Sequence, residues 1–238
     1  MSGLIHLDEV DSTISYLKRR IGELPDGAAV MAEVQTAGRG RRGHGWVSDG
    51  GMLPLSVLLK NPPQPATVTL CCGAAVCMAL EAAGAEAGIK WPNDVIVSAH
   101  KVCGILCESV CFGDNISVVV GLGVNISQSE EFFRAAGIPH AGSLKQLAGI
   151  SPDKTKLAED IAERVRTLCA MDFSEVYKLY KPRCVTLGRQ VRLMENDRER
   201  TAFARDIAEN GFLVCEDENG RFEVNASEVS VRGIMGYV

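Results

Sequence analysis

The sequence predicts an α+β protein, a mostly antiparallel sheet packed by helices, followed by a small C-terminal β-barrel. Three features carry this prediction. A meander of β-branched runs lies between Ile89 and Ile126, interrupted by Trp91-Pro92-Asn93, Ser98-Ala99-His100 and Gly113-Asp114-Asn115. Stretches with helical spacing stand before and after it. Beyond Lys181-Pro182-Arg183 the chain changes to short alternating segments punctuated by Asn210-Gly211 and Asn219-Gly220, strong signals for tight hairpin turns.

Taken in order, Asp11-Ser12 reads as a helix N-cap. Ile14, Leu17, Ile21 and Leu24 follow at helical spacing, and Pro25-Asp26-Gly27 is the stop. Residues 28–34 read as an apolar strand, and 36–51, rich in Gly and Arg, as a mobile loop. Residues 53–59 form a strand with Pro54 near its start, where a missing N–H is tolerated. After the rigid turn Asn61-Pro62-Pro63-Gln64-Pro65, the alanine- and cysteine-rich run 66–87 reads as a buried helix. Residues 95–97, 101–110 and 116–126 are the strands of the meander, and helices are expected at 129–136, 153–170 and 172–180. Short strands at 190–194, 202–208, 212–215, 221–224 and 228–231 suggest a barrel of the SH3-like kind. The expected division is residues 1–184 and residues 185–238.

At 238 residues, 46% hydrophobic and 23% charged, the chain can bury a core without a disulfide or metal staple. A formal net charge of -5 argues against general binding of nucleic acid or anionic membrane, which needs clustered Lys and Arg. Met1-Ser2-Gly3-Leu4-Ile5-His6 has neither the basic nor the apolar region of a signal peptide, and the apolar stretches are short for a membrane span. A cytoplasmic location with no membrane partner is therefore expected, and the nine cysteines read as reduced thiols. Cys103, Cys107 and Cys111, spaced by four, would share one face of a strand as small core residues. The alternative, metal ligands stacked on a helix, has no CxxC pair or nearby histidine to support it.

Four stretches carry chemistry. Gly38-Arg39-Gly40-Arg41-Arg42-Gly43 formally matches GxGxxG, but no helical pattern follows it, as the dinucleotide fingerprint requires. Arginines in a glycine-rich loop suit closure over a phosphate-bearing ligand, since Arg offers planar, always-charged donors and Gly permits close backbone approach. A solvated basic loop fits the same residues equally well. In Lys90-Trp91-Pro92-Asn93-Asp94, the Pro implies an edge or bend and the Asn-Asp pair suits an Asx turn. Lys101 opens a strand that continues to Gly104-Ile105-Leu106, and on its own reads as a solvated strand end. Gly121-Leu122-Gly123-Val124-Asn125 ends an apolar strand with small residues and lacks the lysine of a P-loop.

In this order and spacing, Asp11-Ser12-Thr13, residues 35–43, Lys90 to Asp94, Lys101 to Leu106 and Gly121 to Asn125 resemble the catalytic domain of biotin–protein ligases. The resemblance extends more loosely to Ala226-Ser-Glu-Val-Ser-Val-Arg232, which looks like the last strand of that family's SH3-like domain. It implies a fold related to class II aminoacyl-tRNA synthetases. It also implies roles. Ser12, Thr13 and Gln35 would hydrogen-bond the ureido ring of biotin, with Ile14 and Gly104 beside them. Arg39, Gly40 and Arg41 would lie over the biotin tail and the adenylate phosphate. Lys101 would reach the biotin carboxylate and the α-phosphate. Arg42, Trp46, Asn93 and Asn125 would serve the nucleotide, and Trp46 and Trp91 would be apolar walls. Asp94 would assist magnesium or position the incoming amine. Ile14 stands where the family commonly has Asn, and Gly51-Met52-Leu53-Pro54-Leu55-Ser56 departs from its usual Gly-x-Asn/Leu-Tyr-x-Ser.

The implied activity is ATP-dependent: biotin is activated with Mg-ATP to biotinyl-5'-AMP and passed to a lysine of a biotin carboxyl carrier protein or domain. With the motifs starting at Asp11, there is no room ahead for the DNA-binding domain of some members, so a monofunctional ligase without DNA binding is expected. Monomer and homodimer both stay open. The rivals are a lipoate–protein ligase, with similar chemistry, and a non-catalytic regulatory or nucleic-acid-binding module that uses the arginine loop.

Overall fold

The computed structural model of the chain describes residues 3–41, 45–46, 49–195, 198–226 and 230–233. In chain order the elements are β1 (Leu4–Val10), α1 (Thr13–Arg19), β2 (Ala29–Gln35), β3 (Met52–Lys60), α2 (Val68–Ala82), β4 (Ala87–Lys90), β5 (Asp94–Val97), β6 (His100–Phe112) and β7 (Asn115–Asn125). Then come α3 (Glu130–Ala135), α4 (Leu144–Ala148), α5 (Lys154–Ala170), α6 (Phe173–Tyr180), β8 (Gln190–Glu195), β9 (Arg198–Ile207), β10 (Leu213–Asp217), β11 (Gly220–Val224) and β12 (Ser230–Gly233).

The first sheet runs β1-β2-β3-β7-β6-β5-β4. β1 and β2 are parallel, joined through α1, and the other neighbours are antiparallel. The C-terminal strands form a second antiparallel sheet, β11-β10-β9-β8-β12.

Period-two alternation sorts the large sheet into two faces. Leu53, Leu55, Val57 and Leu59 of β3, Cys103 and Ile105 of β6, and Val118, Val120, Leu122 and Val124 of β7 join α2 and α5 in the main core. α2 is apolar all round because it lies between the sheet and α5 and α6. The segment 65–82 has the length and hydropathy of a membrane span, but 67% of it is buried inside the protein, as in a core helix. The opposite face is covered by α1, whose Ile14 and Leu17 pack with Val30, Leu58 and Val119. On that face β6 and β7 carry Gly104, Gly121 and Gly123, and side chains that would fill the space are missing.

Several expectations need correction. α1 ends at Arg19, and Ile21 and Leu24 pack from the turns after it. The helix expected over 66–87 stops at Ala82, because Gly84 takes a left-handed conformation (φ 99°), and Ala87 to Lys90 pair as a strand. β1 was not expected; it is an edge strand that is largely exposed, so its apolar signal is weak. α4 spans 5 residues, too few for periodicity. Cys103 is buried as expected, but Cys107 is half-buried and Cys111 exposed, since β6 runs outward past the core. None of the nine cysteines is in a disulfide, and no cluster of metal-ligating residues exists among the described residues.

Candidate active site

The hollowed face of β6 and β7 floors a cavity of about 510 Å³, a size suited to a small-molecule ligand. Backbone sterics explain the hollow. A Cβ on Gly121 would lie 2.3 Å from Ile14 Cδ1, and one on Gly123 would lie 2.5 Å from the Trp46 ring. A Cβ on Gly104 would meet the same ring at 2.7 Å. The wall contains Ser12, Thr13, Ile14, Gln35, Arg39, Gly40, Arg41, Trp46, Asn93, Lys101, Gly104 and Asn125. Residues distant in sequence, predicted to act together, are thus brought together. Arg42 lies outside the described residues.

The inner end is neutral and well ordered by hydrogen bonds. Ser12 caps α1, its hydroxyl accepting from Ser15 N. Gln35 Oε1 accepts from Thr13 N at 2.9 Å and from Thr13 Oγ1 at 3.0 Å. Ser56 Oγ donates to Thr13 Oγ1 at 2.8 Å, and Ser56 is fully buried. A helix start, the end of β2 and the middle of β3 therefore converge on one chain of polar groups.

The outer end is cationic. Lys101 begins on a clamped backbone: its N–H donates to His140 O at 2.8 Å and its C=O accepts from Gly142 N at 3.0 Å. Its ammonium lies 2.5 Å from Asp94 Oδ1 and 5.4 Å from the centre of the Trp46 ring. Asp94 lies behind Lys101 and is not part of the cavity wall. Arg41 donates to Asn93 Oδ1 at 2.7 Å and to the Ala226 carbonyl at 2.6 Å, which ties the loop to the β4–β5 turn and to the segment after β11. Arg39 pairs with Glu108. Next to Lys101 in the fold, burial pushes the Cys103 thiol up to about 12, so it is an inert core residue.

Two residues do something other than expected. Trp91 is no wall of the cavity. It is buried, and its indole N–H donates to Gly211 O at 3.1 Å, joining the large sheet to the turn between β9 and β10. Asn125 lines the cavity, but its amide nitrogen also donates to Gly142 O at 3.1 Å and Lys101 O at 3.4 Å, so it holds the backbone under Lys101. Sequence reasoning missed Ser56 and Glu108, which do not line the cavity but hold Thr13 and Arg39, and also the wall formed by Phe132 and by residues 136–141. A lone hydroxyl inside the apolar run of β3 was a signal for Ser56. A carboxylate in phase with Gly104 and Leu106 was one for Glu108.

Comparison with known proteins gives consistent matches. Residues 7–125 match the Biotin/lipoate A/B protein ligase family, and residues 186–232 match the biotin protein ligase C terminal domain. The chain is similar to the bifunctional ligase/repressor BirA of Escherichia coli strain K12, with 33% identity over 236 residues, 95% of this chain and 73% of that protein. It is also similar to the biotin–[acetyl-CoA-carboxylase] ligase of Paracoccus denitrificans, with 30% identity across 95% of this chain and all (100%) of the relative. Among solved structures, the biotin protein ligase from Aquifex aeolicus in complex with biotin and ATP superposes with a TM-score of 0.82 at 30% identity, covering 98% of this chain and 100% of that one.

Proposed function

The chain belongs to the biotin/lipoate A/B protein ligase family, and from that premise we propose how its cavity carries out the reaction. The chain is an ATP-dependent biotin–protein ligase. Ser12, Thr13 and Gln35 hold the ureido ring at the neutral inner end, with Ile14 and Gly104 against the apolar part of the ligand. Arg39, Gly40 and Arg41 cover the tail and phosphate, and Trp46, Asn93 and Asn125 serve the nucleotide. The observation that carries this assignment is one cavity with a hydrogen-bonded neutral end and a cationic end formed by Arg39, Arg41 and Lys101. Biotin needs the first, and the carboxylate and phosphates need the second.

The biotin carboxylate attacks the α-phosphorus of ATP and expels pyrophosphate, leaving the mixed anhydride biotinyl-5'-AMP. Two anions approach, and fixed cations offset the charge that gathers on the phosphate oxygens without reorganising. Alignment by the cavity supplies much of the remainder. The lysine amine of a biotin carboxyl carrier domain then attacks the acyl carbon, and AMP leaves. A free lysine has a pKa of about 10.4 and must lose a proton first; Asp94, which pairs with Lys101, is the residue assigned to orient it. Magnesium fits as the ion carried by ATP: the carboxylates at the cationic end, Asp94 and Glu108, are each paired with a cation and form no cage among the described residues, and magnesium is commonly held by few carboxylates together with phosphates. It would supply charge neutralisation on the phosphates. A cytoplasmic setting, supported by nine cysteines that form no disulfide, and the absence of operator binding, supported by the net charge of -5, belong to the same proposal.

Incubation with a biotin carboxyl carrier domain, biotin and Mg-ATP tests it by mass spectrometry. One biotin on one lysine, dependent on ATP, is expected. Incorporation of lipoate and not biotin would contradict the substrate assignment.

A further inference from the structure

Glu108 lies on β6 in phase with Gly104 and Leu106, on the face that floors the cavity. Its carboxylate is only 18% exposed and meets two cations from different elements. Arg39 approaches with both terminal nitrogens, Nη2 2.9 Å from Oε1 and Nη1 3.2 Å from Oε2. Lys18 of α1 donates to Oε2 at 2.9 Å. Arg39 itself is on a loop, and its side chain is 46% exposed. Near it, that loop is pinned by the Arg39–Gly45 bridge and the Trp46 N–H to Gly38 O bond of 2.9 Å. A rigid strand thus holds the guanidinium of a loop residue by a forked pair, which fixes direction as well as distance.

We propose that Glu108 is a positioning residue: it aims Arg39 across the mouth of the cavity, while its second contact, with Lys18, only ties the strand to α1. This rests on the assignment of Arg39 to the adenylate phosphate. Without the carboxylate, Arg39 samples many rotamers, and closure over the ligand requires them to be frozen out. The contact costs little in the fold and matters through Arg39 alone.

A double-mutant cycle on biotin-dependent pyrophosphate exchange, with melting curves, tests it. Glu108→Gln keeps the shape and loses the charge; kcat/KM should fall about fivefold, the range of a partly exposed ion pair. Glu108→Asp should recover part of that. In the Arg39→Ala background, Glu108→Gln should change kcat/KM by less than about twofold. Lys18→Met, which breaks the same α1–β6 tie without touching Arg39, should stay within about twofold of the parent. If Glu108→Gln costs as much in the Arg39→Ala background as in the parent, or Lys18→Met costs as much as Glu108→Gln, the contact is a brace of the fold and the positioning role is overturned. Wild-type exchange by Arg39→Ala alone would instead remove the role of Arg39, and that of Glu108 with it.

Discussion

The inner end of the cavity is held by neutral hydrogen bonds among Ser56, Thr13 and Gln35, whereas the outer end is held by ion pairs, Lys101 with Asp94 and Arg39 with Glu108. The two constructions suit different ligand parts. A neutral polar ring is recognised by donors and acceptors fixed in direction, and a buried chain of them loses much if one member is missing. A carboxylate and a phosphate are recognised by charge, and cations already paired with protein carboxylates stay in place until an anion competes for them. Damage at the inner end should therefore combine affinity with stability, and damage at the outer end should be mostly kinetic.

Lys101→Ala is the largest break. Loss of one preorganised charge contact should cost adenylate formation about a hundredfold or more. Because Asp94 then loses the Lys101 ammonium at 13% exposure, melting should also fall by an amount corresponding to roughly 1 kcal/mol. Lys101→Ala with Asp94→Asn should restore the melting temperature and leave exchange slow. Recovery of exchange in the double variant would mean that Lys101 acts only by neutralising Asp94. Lys101→Arg should recover activity only in part, since a planar fork does not replace a compact ammonium.

Ser56→Ala sharpens the other half. It removes the donor to Thr13 Oγ1 inside a fully buried site and should cost about 1 kcal/mol of stability. The KM for biotin should rise several-fold while the KM for ATP holds. An effect on ATP and none on biotin would show that the neutral end has been assigned to the wrong substrate.

The smallest expected effect lies beside the inner end, where Asp11 is held down to about 2 by its hydrogen bond to Arg19. A carboxyl lowered in the folded state stabilises above its ordinary value, 3.8, and loses that contribution as pH falls toward 2. Asp11→Asn should lower the melting temperature slightly at neutral pH, and the gap should close between pH 4 and pH 2. A gap that persists at the lower pH would mean that the charge of Asp11 is not what stabilises.

Much of this was legible in the sequence, for identifiable reasons. Lys101, Gly104 and Asn125 were grouped by the resemblance of their motifs to biotin–protein ligases, not by strand periodicity, which alone would put Lys101 and Gly104, three positions apart, on opposite faces. The helix cap at Ser12 and the turn at Asn210-Gly211 are local chemistry and needed no tertiary information. Trp91 was misjudged because the same KWPND segment that points Asn93 into the cavity buries Trp91 against Gly211, 120 positions away in sequence. Glu108 and Ser56 were missed because their local signals do not name a partner; only the tertiary fold brings Glu108 to Arg39 of the loop and Ser56 to Thr13 of α1. β1 escaped because an exposed edge strand has little apolar patterning to detect.

The central claim is that this cavity joins biotin to AMP before transfer. Exchange of labelled pyrophosphate into ATP, measured with and without biotin and with no acceptor protein present, tests it most directly. Exchange that appears only with biotin, and is not supported by lipoate, is the predicted result. Exchange that proceeds without biotin, or none at all from a folded protein that still binds both ligands, would contradict it.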